Sequence, residues 1–355
     1  MKHAIIVGFG LAGFHYALEL QKNKKDFLII SNEEEGASRN AGGVLNPTVL
    51  KRYTMSWRGN EFFDHAISTY GLFEETFNIN VLHKIPINYY FNHSSDHNNW
   101  TLASNSRGLD RFLSPSIMNT SNEGLKAEFG HAKLKNVGKL DINKALEEFK
   151  KRLNPDSFKR EVFDYEKLKI FINKVNYKGV VAKYIIFCEG FKLTKNPWFS
   201  YLPLIGSKGE FIHIRSNKLS QKKIIKAGLF IVPIEADLFW VGANFDRKDK
   251  TSNPTKSGKD WILLKLKNLL DCSFEVVNHK AAIRPTVQDR RPLLGVHPKK
   301  KNLYVFNGLG TRGVLMGPLL AKWMYSFVVE KKNLHSEIAI ERFETYFSNP
   351  KDQDV

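Results

Sequence analysis

Residues 4–20 read AIIVGFGLAGFHYALEL, and this stretch decides the fold. Ala4 to Val7 is a short apolar run of strand type, Gly8 to Gly13 spells G-F-G-L-A-G, and Phe14 to Leu20 continues with helical spacing. A second apolar run, Phe27 to Ile30, follows. Strand, glycine turn, helix and strand in that order open a dinucleotide-binding unit, and the three glycines have separate tasks there. Gly8 permits the tight turn, Gly10 lets the backbone approach a pyrophosphate, and Gly13 lets the helix pack close to the strand. Leu11 and Ala12 lie between them at the start of the helix, where free backbone N–H groups form an anion site. The pattern asks for an acidic residue about 20 positions further on, to bind a ribose hydroxyl. Glu33 meets that count from Gly13, yet the strand ends at Ile30, so Ser31 takes the ribose position and Glu33 to Glu35 fall in a loop. A serine hydroxyl still makes one hydrogen bond there.

Beyond this opening, GASRNAGGVLNP at residues 36–47 is a small-residue segment in which backbone can lie flat against a planar ligand. The spacing from Phe62 to Phe77 is helical, and Lys84 to Phe91 is strand-like. VVAKYIIFCEG, residues 180–190, reads as a buried central strand ending in Gly190. GEFIHIR, GLFIVPI and LFWVGANF then alternate like the antiparallel strands of another domain. Near the end, NLYVFNGLGTRG at residues 302–313 gives a strand over Leu303 to Phe306, a turn with Gly308, Gly310, Thr311 and Arg312, and a helix starting after Gly313.

The chain has 355 residues, 42% hydrophobic and 25% charged, which is globular composition and excludes a disordered or fibrous protein. Its length suits about two domains. Two cysteines, Cys188 and Cys272, supply neither a disulfide framework nor metal-ligand spacing, so a reducing, cytoplasmic setting and no metal are expected. No uncharged run reaches the roughly 20 residues of a membrane span. The formal charge of +18 can draw acidic partners. The lysines are nevertheless spread along the chain beside many asparagines, so solvated faces account for most of that excess.

Three separated nucleotide-domain pieces with β-rich inserts between them do not describe a two-lobed dehydrogenase. The motifs VGFGLAG, GASRNAGGVLNP, IIFCEG, AIRPTVQDRRPLLG and NLYVFNGLGTRG together resemble the D-amino-acid oxidase and glycine oxidase family of FAD-dependent oxidoreductases over nearly the whole length. The resemblance implies an α/β fold: a Rossmann-like FAD-binding domain from residues 1–84, 130–200 and 280–355, and an α+β substrate domain on an antiparallel sheet from residues 85–129 and 201–279. It implies non-covalent FAD, with Gly8, Gly10 and Gly13 along the pyrophosphate and Asn40, Ala41, Gly42 and Gly43 by the isoalloxazine. The positive N-terminus of the last helix, with Gly310 to Gly313, would face the flavin's pyrimidine oxygen, where negative charge gathers on reduction. In glycine-oxidase-like relatives the arginine of the A-I-R-P motif, here Arg284, clamps the substrate carboxylate; a planar guanidinium suits that task. Arg312 is a second cation for an anionic group or a flavin carbonyl. Arg290 and Arg291 are read as structural, in a turn pairing with Asp289. Tyr53, Trp57 and Tyr89 to Phe91 are aromatic candidates for a pocket wall or for simple core.

Three functional readings follow. The first is oxidation of the C–N bond of a small-molecule amine, an amino acid or N-substituted glycine, by hydride transfer to flavin. Positioning does most of the work there, so no dedicated general base is required. The second is an FAD oxidase that trims a carboxymethylaminomethyl group on a tRNA wobble uridine, for the C-terminal region also resembles the oxidase half of the bifunctional tRNA-modifying members of the family. The third is a flavin-binding protein without catalysis.

Overall fold

The computed structural model describes residues 1–119 and 124–348. They form two compact units, the first from Met1–Arg39, Ile142–Ser207 and Ile283 onward, the second from Asn40–Asp141 and Lys208–Ala282.

Five parallel strands make the centre of the first unit. Phe158–Lys159 pairs with Phe27–Ile30, which pairs with Lys2–Val7, then Val180–Phe187, then Leu303–Asn307. Ala4 to Val7 and Phe27 to Ile30 are buried at every position, the continuous apolar reading expected of strands covered on both faces. Val180–Phe187 is long enough to serve two partners on one side. Its first half takes the hairpin strand Val175–Tyr177 and its second half takes Leu303–Asn307. Val7 lies in register with Ile30 and with Phe187, and Phe187 with Val305, so the carboxyl ends of four strands are level. Ile5, Ile185, Phe187, Leu303 and Val305 share a core cluster with Phe199 and Leu293. The helices Leu11–Lys22 and Gly313–Val329 pack together at their starts: a Cβ on Gly313 would lie 2.8 Å from Leu11 Cδ1, and one on Gly317 would lie 2.5 Å from the ring of the buried His15.

The second unit is built on an eight-stranded sheet in the order Glu275–Arg284, Ser207–Arg215, Leu238–Gly242, Leu229–Glu235, Ile224–Ala227, Ile87–Tyr90, His131–Leu134, Leu113–Met118. One neighbouring pair, Ile224–Ala227 with Ile87–Tyr90, is parallel. The helix Lys256–Leu269 lays Ile262, Leu266 and Leu269 against Ile212, Ile214, Ile231 and Val241 of this sheet. Glu210 secures the start of that helix, accepting from the Thr255 amide and hydroxyl, each at 2.7 Å, while Thr255 Oγ1 accepts from Gly258 N at 3.0 Å. The helix Gly59–Phe77 begins three residues before the expected Phe62 and buries Phe62, Phe63, Ala66, Tyr70, Phe73 and Phe77 along one stripe.

The units divide the chain differently from the expected domains. Residues 40–84 and 130–141 belong to the second unit, because Val44–Leu45 and Leu82–His83 both pair with Gly138–Leu140. Residues 201–207 join the first, where Leu204 bridges Val287, and residues 280–282 stay with the second on the long strand Glu275–Arg284. The expected limits at 129 and 355 take in residues 120–123 and 349–355, which lie outside the described residues. Among the described residues no helix is long and apolar enough to cross a membrane, and no group of three or more His, Cys, Asp or Glu side chains is placed to hold a metal.

Candidate functional site

The first glycine turn follows from steric exclusion. Gly8 has φ +98°, and a Cβ there would meet Cys188 O at 2.5 Å; a Cβ on Gly13 would meet Gly8 O at 2.0 Å. Strand, turn and helix therefore approach more closely than any side chain allows. Gly10 caps the helix without a side-chain hydrogen bond. The Leu11 amide donates to Ser38 Oγ at 3.0 Å, and a Cβ on Gly10 would meet the same oxygen at 2.8 Å. Ser38 lies inside the small-residue segment read from the sequence, but nothing in its spacing singled it out. Ala12 is buried in the first helical turn.

The neighbouring strand ends supply the rest of this edge. Ser31 follows Phe27–Ile30, and its hydroxyl accepts from the Glu33 amide at 3.2 Å. The Glu33 carboxylate is taken up by cations: Lys150 donates to it, with Arg160 at 3.5 Å and Arg39 at 3.8 Å. Gly190, at φ +57°, has no neighbouring atom within 4 Å of the position a Cβ would take, and its carbonyl accepts from Asn307 Nδ2 at 3.0 Å. Between Cys188 and Gly190, the Glu189 carboxylate accepts from Tyr165 Oη at 2.6 Å and Asn196 Nδ2 at 2.8 Å. Burial pushes its carboxyl above the usual range against those two bonds.

Arg284 and Arg312 stand on two turns that the structure joins. Arg284 ends the strand Glu275–Arg284, and burial pushes its guanidinium down to about 10. Arg312 caps the helix Gly313–Val329, and burial lowers it as well. The Gly310 amide donates to Pro285 O at 3.1 Å, and a Cβ on Gly308 would meet Val287 Cγ2 at 2.7 Å. Gly310, at φ +55°, faces open space beyond Thr286 Cγ2 at 3.8 Å, and Thr311 is exposed. Thr286 Oγ1 is buried without a hydrogen-bond partner among the described residues. The Asp289 side chain pairs with Arg342 at 2.8 Å and takes the Arg291 backbone amide at 3.0 Å. In the turn around Arg290 and Arg291, the Arg291 guanidinium also reaches Glu337 at 3.4 Å.

Asn40, Ala41, Gly42 and Gly43 belong to the second unit. The Trp240 indole donates to Asn40 O at 3.1 Å, and its ring would lie 2.9 Å from a Cβ on Gly42. Gly43 O accepts from the Leu140 amide at 2.8 Å, so this backbone is held flat by its own unit. Tyr53 and Tyr89 lie with hydroxyls 3.4 Å apart on the wall of a cleft in the same unit, whereas Trp57 packs against Phe62.

In the first unit, then, residues from three distant segments stand at the level carboxyl ends of adjacent parallel strands, the place where open α/β sheets bind nucleotides. The model of the family described as FAD dependent oxidoreductase matches residues 3–326. The chain belongs to this family. As an FAD dependent oxidoreductase it is an enzyme. Glycine oxidase from Bacillus cereus superposes with a TM-score of 0.76 at 17% identity, covering 94% of this chain and 96% of that one. Iminodiacetate oxidase from Chelativorans sp. gives a TM-score of 0.73 at 16% identity, over 96% and 98%. These likenesses show the α/β fold. In sequence, the chain is 26% identical over 186 residues to the tRNA 5-methylaminomethyl-2-thiouridine biosynthesis bifunctional protein MnmC of Shewanella halifaxensis, a match to 39% of this chain and 28% of that protein. It is 24% identical over 136 residues to glycine oxidase from Bacillus subtilis, covering 38% and 36%.

The residues of this FAD dependent oxidoreductase fit its cofactor. The start of the helix Leu11–Lys22, where Gly10 brings no capping side chain and Ser38 accepts from the Leu11 amide, suits a diphosphate. Gly190 and Gly310 leave open space, and the unpartnered Thr286 hydroxyl awaits a polar group.

Proposed function

We propose that this enzyme oxidises the C–N bond of an amine bearing a carboxymethyl arm, an N-substituted glycine or a simple amino acid, with Arg284 holding the carboxylate. The observation that carries this is the half-buried Arg284 guanidinium at the end of the strand Glu275–Arg284, with the following Pro285 bonded to Gly310 of the glycine turn. A guanidinium presents a planar pair of donors that grips a carboxylate by two parallel hydrogen bonds and so fixes the orientation of the carbon between acid and amine. Glycine and iminodiacetate, the compounds in the names of the two solved relatives, are both carboxymethylamines.

The Gly8 to Gly13 turn, Ser31, Gly190 and the Gly308 to Gly313 turn would hold FAD without a covalent link, and the cofactor would supply the two-electron acceptor. On the substrate, the C–H bond beside nitrogen breaks with its electron pair leaving as hydride, the nitrogen lone pair forms C=N, and water hydrolyses the imine. Desolvation around the site favours the neutral amine that this requires. Arg312 adds a second positive charge at the end of the same glycine turn. The test is anaerobic titration of the yellow holoenzyme with glycine, sarcosine, iminodiacetate and D- and L-amino acids. Bleaching by carboxymethylamines supports the proposal, and flavin that none of them reduces refutes it.

A second reading places the same carboxymethylamine on a tRNA wobble uridine. The relatedness to the tRNA-modifying bifunctional proteins and the +18 charge favour it. Nucleoside analysis of tRNA from a deletion strain tests it: accumulation of the carboxymethylaminomethyl form supports it, and an unchanged profile argues against it.

A further inference from the structure

The second unit carries a cleft of about 970 Å3 whose lining is basic and aromatic. Lys51, Arg52, Lys226 and Lys265 bring four cations to it, and Tyr53 and Trp261 bring rings. Its one carboxylate, Asp96, is turned to the backbone amides of Asn92 and His93 at 3.1 and 3.3 Å. Among the described residues none of the four cations pairs with a carboxylate. Like charges around one space repel, and an anion entering it relieves them. Lys226 is set deepest: it donates to Gly228 O at 2.9 Å, lies 4.7 Å over the Phe230 ring, and is pushed down to about 8 by burial. Trp261 is 38% exposed on the helix Lys256–Leu269, with the Lys265 ammonium 6.0 Å above its ring. The exposed part of this indole offers a stacking face beside an ammonium.

We propose that this cleft binds a single-stranded stretch of RNA, its phosphates on Lys51, Arg52, Lys226 and Lys265 and one base stacked on Trp261. Basic grooves interleaved with aromatic faces are the chemistry of single-strand recognition. The choice of RNA over DNA rests on the second reading above.

The experiment is fluorescence anisotropy on the FAD-loaded protein with a labelled RNA stem-loop, repeated across a series of salt concentrations. Four phosphate contacts predict a log–log salt slope of about −3. Lys226→Ala with Lys265→Ala halves that slope and weakens binding on the order of 10-fold or more. Trp261→Ala weakens it about 5- to 100-fold at unchanged slope. Melting temperatures check the fold of each variant, and crosslinking of iodouridine-substituted RNA to the unaltered protein reads the contact without any substitution. Crosslinks at Tyr53 or Trp261 support the inference; crosslinks confined elsewhere overturn it. So does equal binding by the variants, by a fully paired duplex of the same charge, or competition by a mononucleotide alone. Carboxymethylamines that bleach the flavin in a protein that ignores RNA would sink the cleft and leave the oxidase reading intact. RNA bound through the cleft by a protein whose flavin no amine reduces would do the reverse.

Discussion

The amide of Gly310 donates to the carbonyl of Pro285 across 3.1 Å. That bond ties the turn after Arg284 to the turn before Arg312, so the two half-buried cations are held by one backbone junction rather than by two independent loops. The proline ring fixes φ at this position and with it the local course of the backbone that presents the accepting carbonyl.

Arg284→Lys keeps the charge but loses the planar fork. We expect kcat/KM for a carboxymethylamine to fall about 10- to 100-fold, mostly as a higher KM, with flavin content unchanged. Stopped-flow reduction of the variant measures both. An unaltered KM would remove Arg284 from carboxylate binding.

Gly13→Ala places a methyl 2.0 Å from Gly8 O, a backbone atom that cannot swing aside as a flexible side chain would. The variant should lose FAD on gel filtration and melt well below the parent protein, a cost of several kcal/mol. Gly36→Ala, where nothing lies within 4 Å, is the matched control and should retain its yellow colour.

Thr286→Val removes a buried hydroxyl that has no partner among the described residues. Without ligand, the variant should be as stable as the parent or more so by about 1 kcal/mol, because an unpaired polar group disappears. If the hydroxyl serves the cofactor, FAD affinity falls while the apoprotein gains. Calorimetry of apo and loaded forms separates the two effects, and equal changes in both would refute the assignment.

His297 accepts from the amides of Lys299 and Lys300, each at 3.1 Å, and is held down to about 4, first by burial and then by Lys300, Lys299 and Lys301. The folded form therefore carries fewer protons than the unfolded one between about pH 4 and 6.5. Its stabilising contribution is complete above about pH 6.5 and is lost as pH falls toward 4. Denaturant melts at pH 5 and pH 7 should show a smaller pH dependence in His297→Asn than in the parent.

Much of the first unit was legible because its sequence signals are local. Glycines forced by backbone contact, as at Gly8 and Gly13, and apolar runs such as Ala4–Val7 announce themselves within a few residues. The domain limits were not legible. Val44–Leu45 and Leu82–His83 are two-residue strands whose partner, Gly138–Leu140, lies far along the chain, and no periodicity survives in elements so short. Ser38 and Thr286 escaped for a related reason: a hydroxyl gains its meaning from a distant neighbour, and the sequence shows only the hydroxyl. Glu33, at the counted position but in the loop after the strand, has its charge committed to Lys150, Arg39 and Arg160.

The strand Val180–Phe187 sits between Lys2–Val7 and Leu303–Asn307, strands drawn from opposite ends of the chain. A nascent polypeptide released only as far as its middle would own a half-built sheet with an unzipped margin and no way to retain the nucleotide. Assembly must wait for the C-terminal portion, because closing so large a loop is slow. Supplying free flavin during refolding should raise the yield of native protein by trapping the last docking step, and a polypeptide halted before Leu303 should emerge colourless and prone to clump.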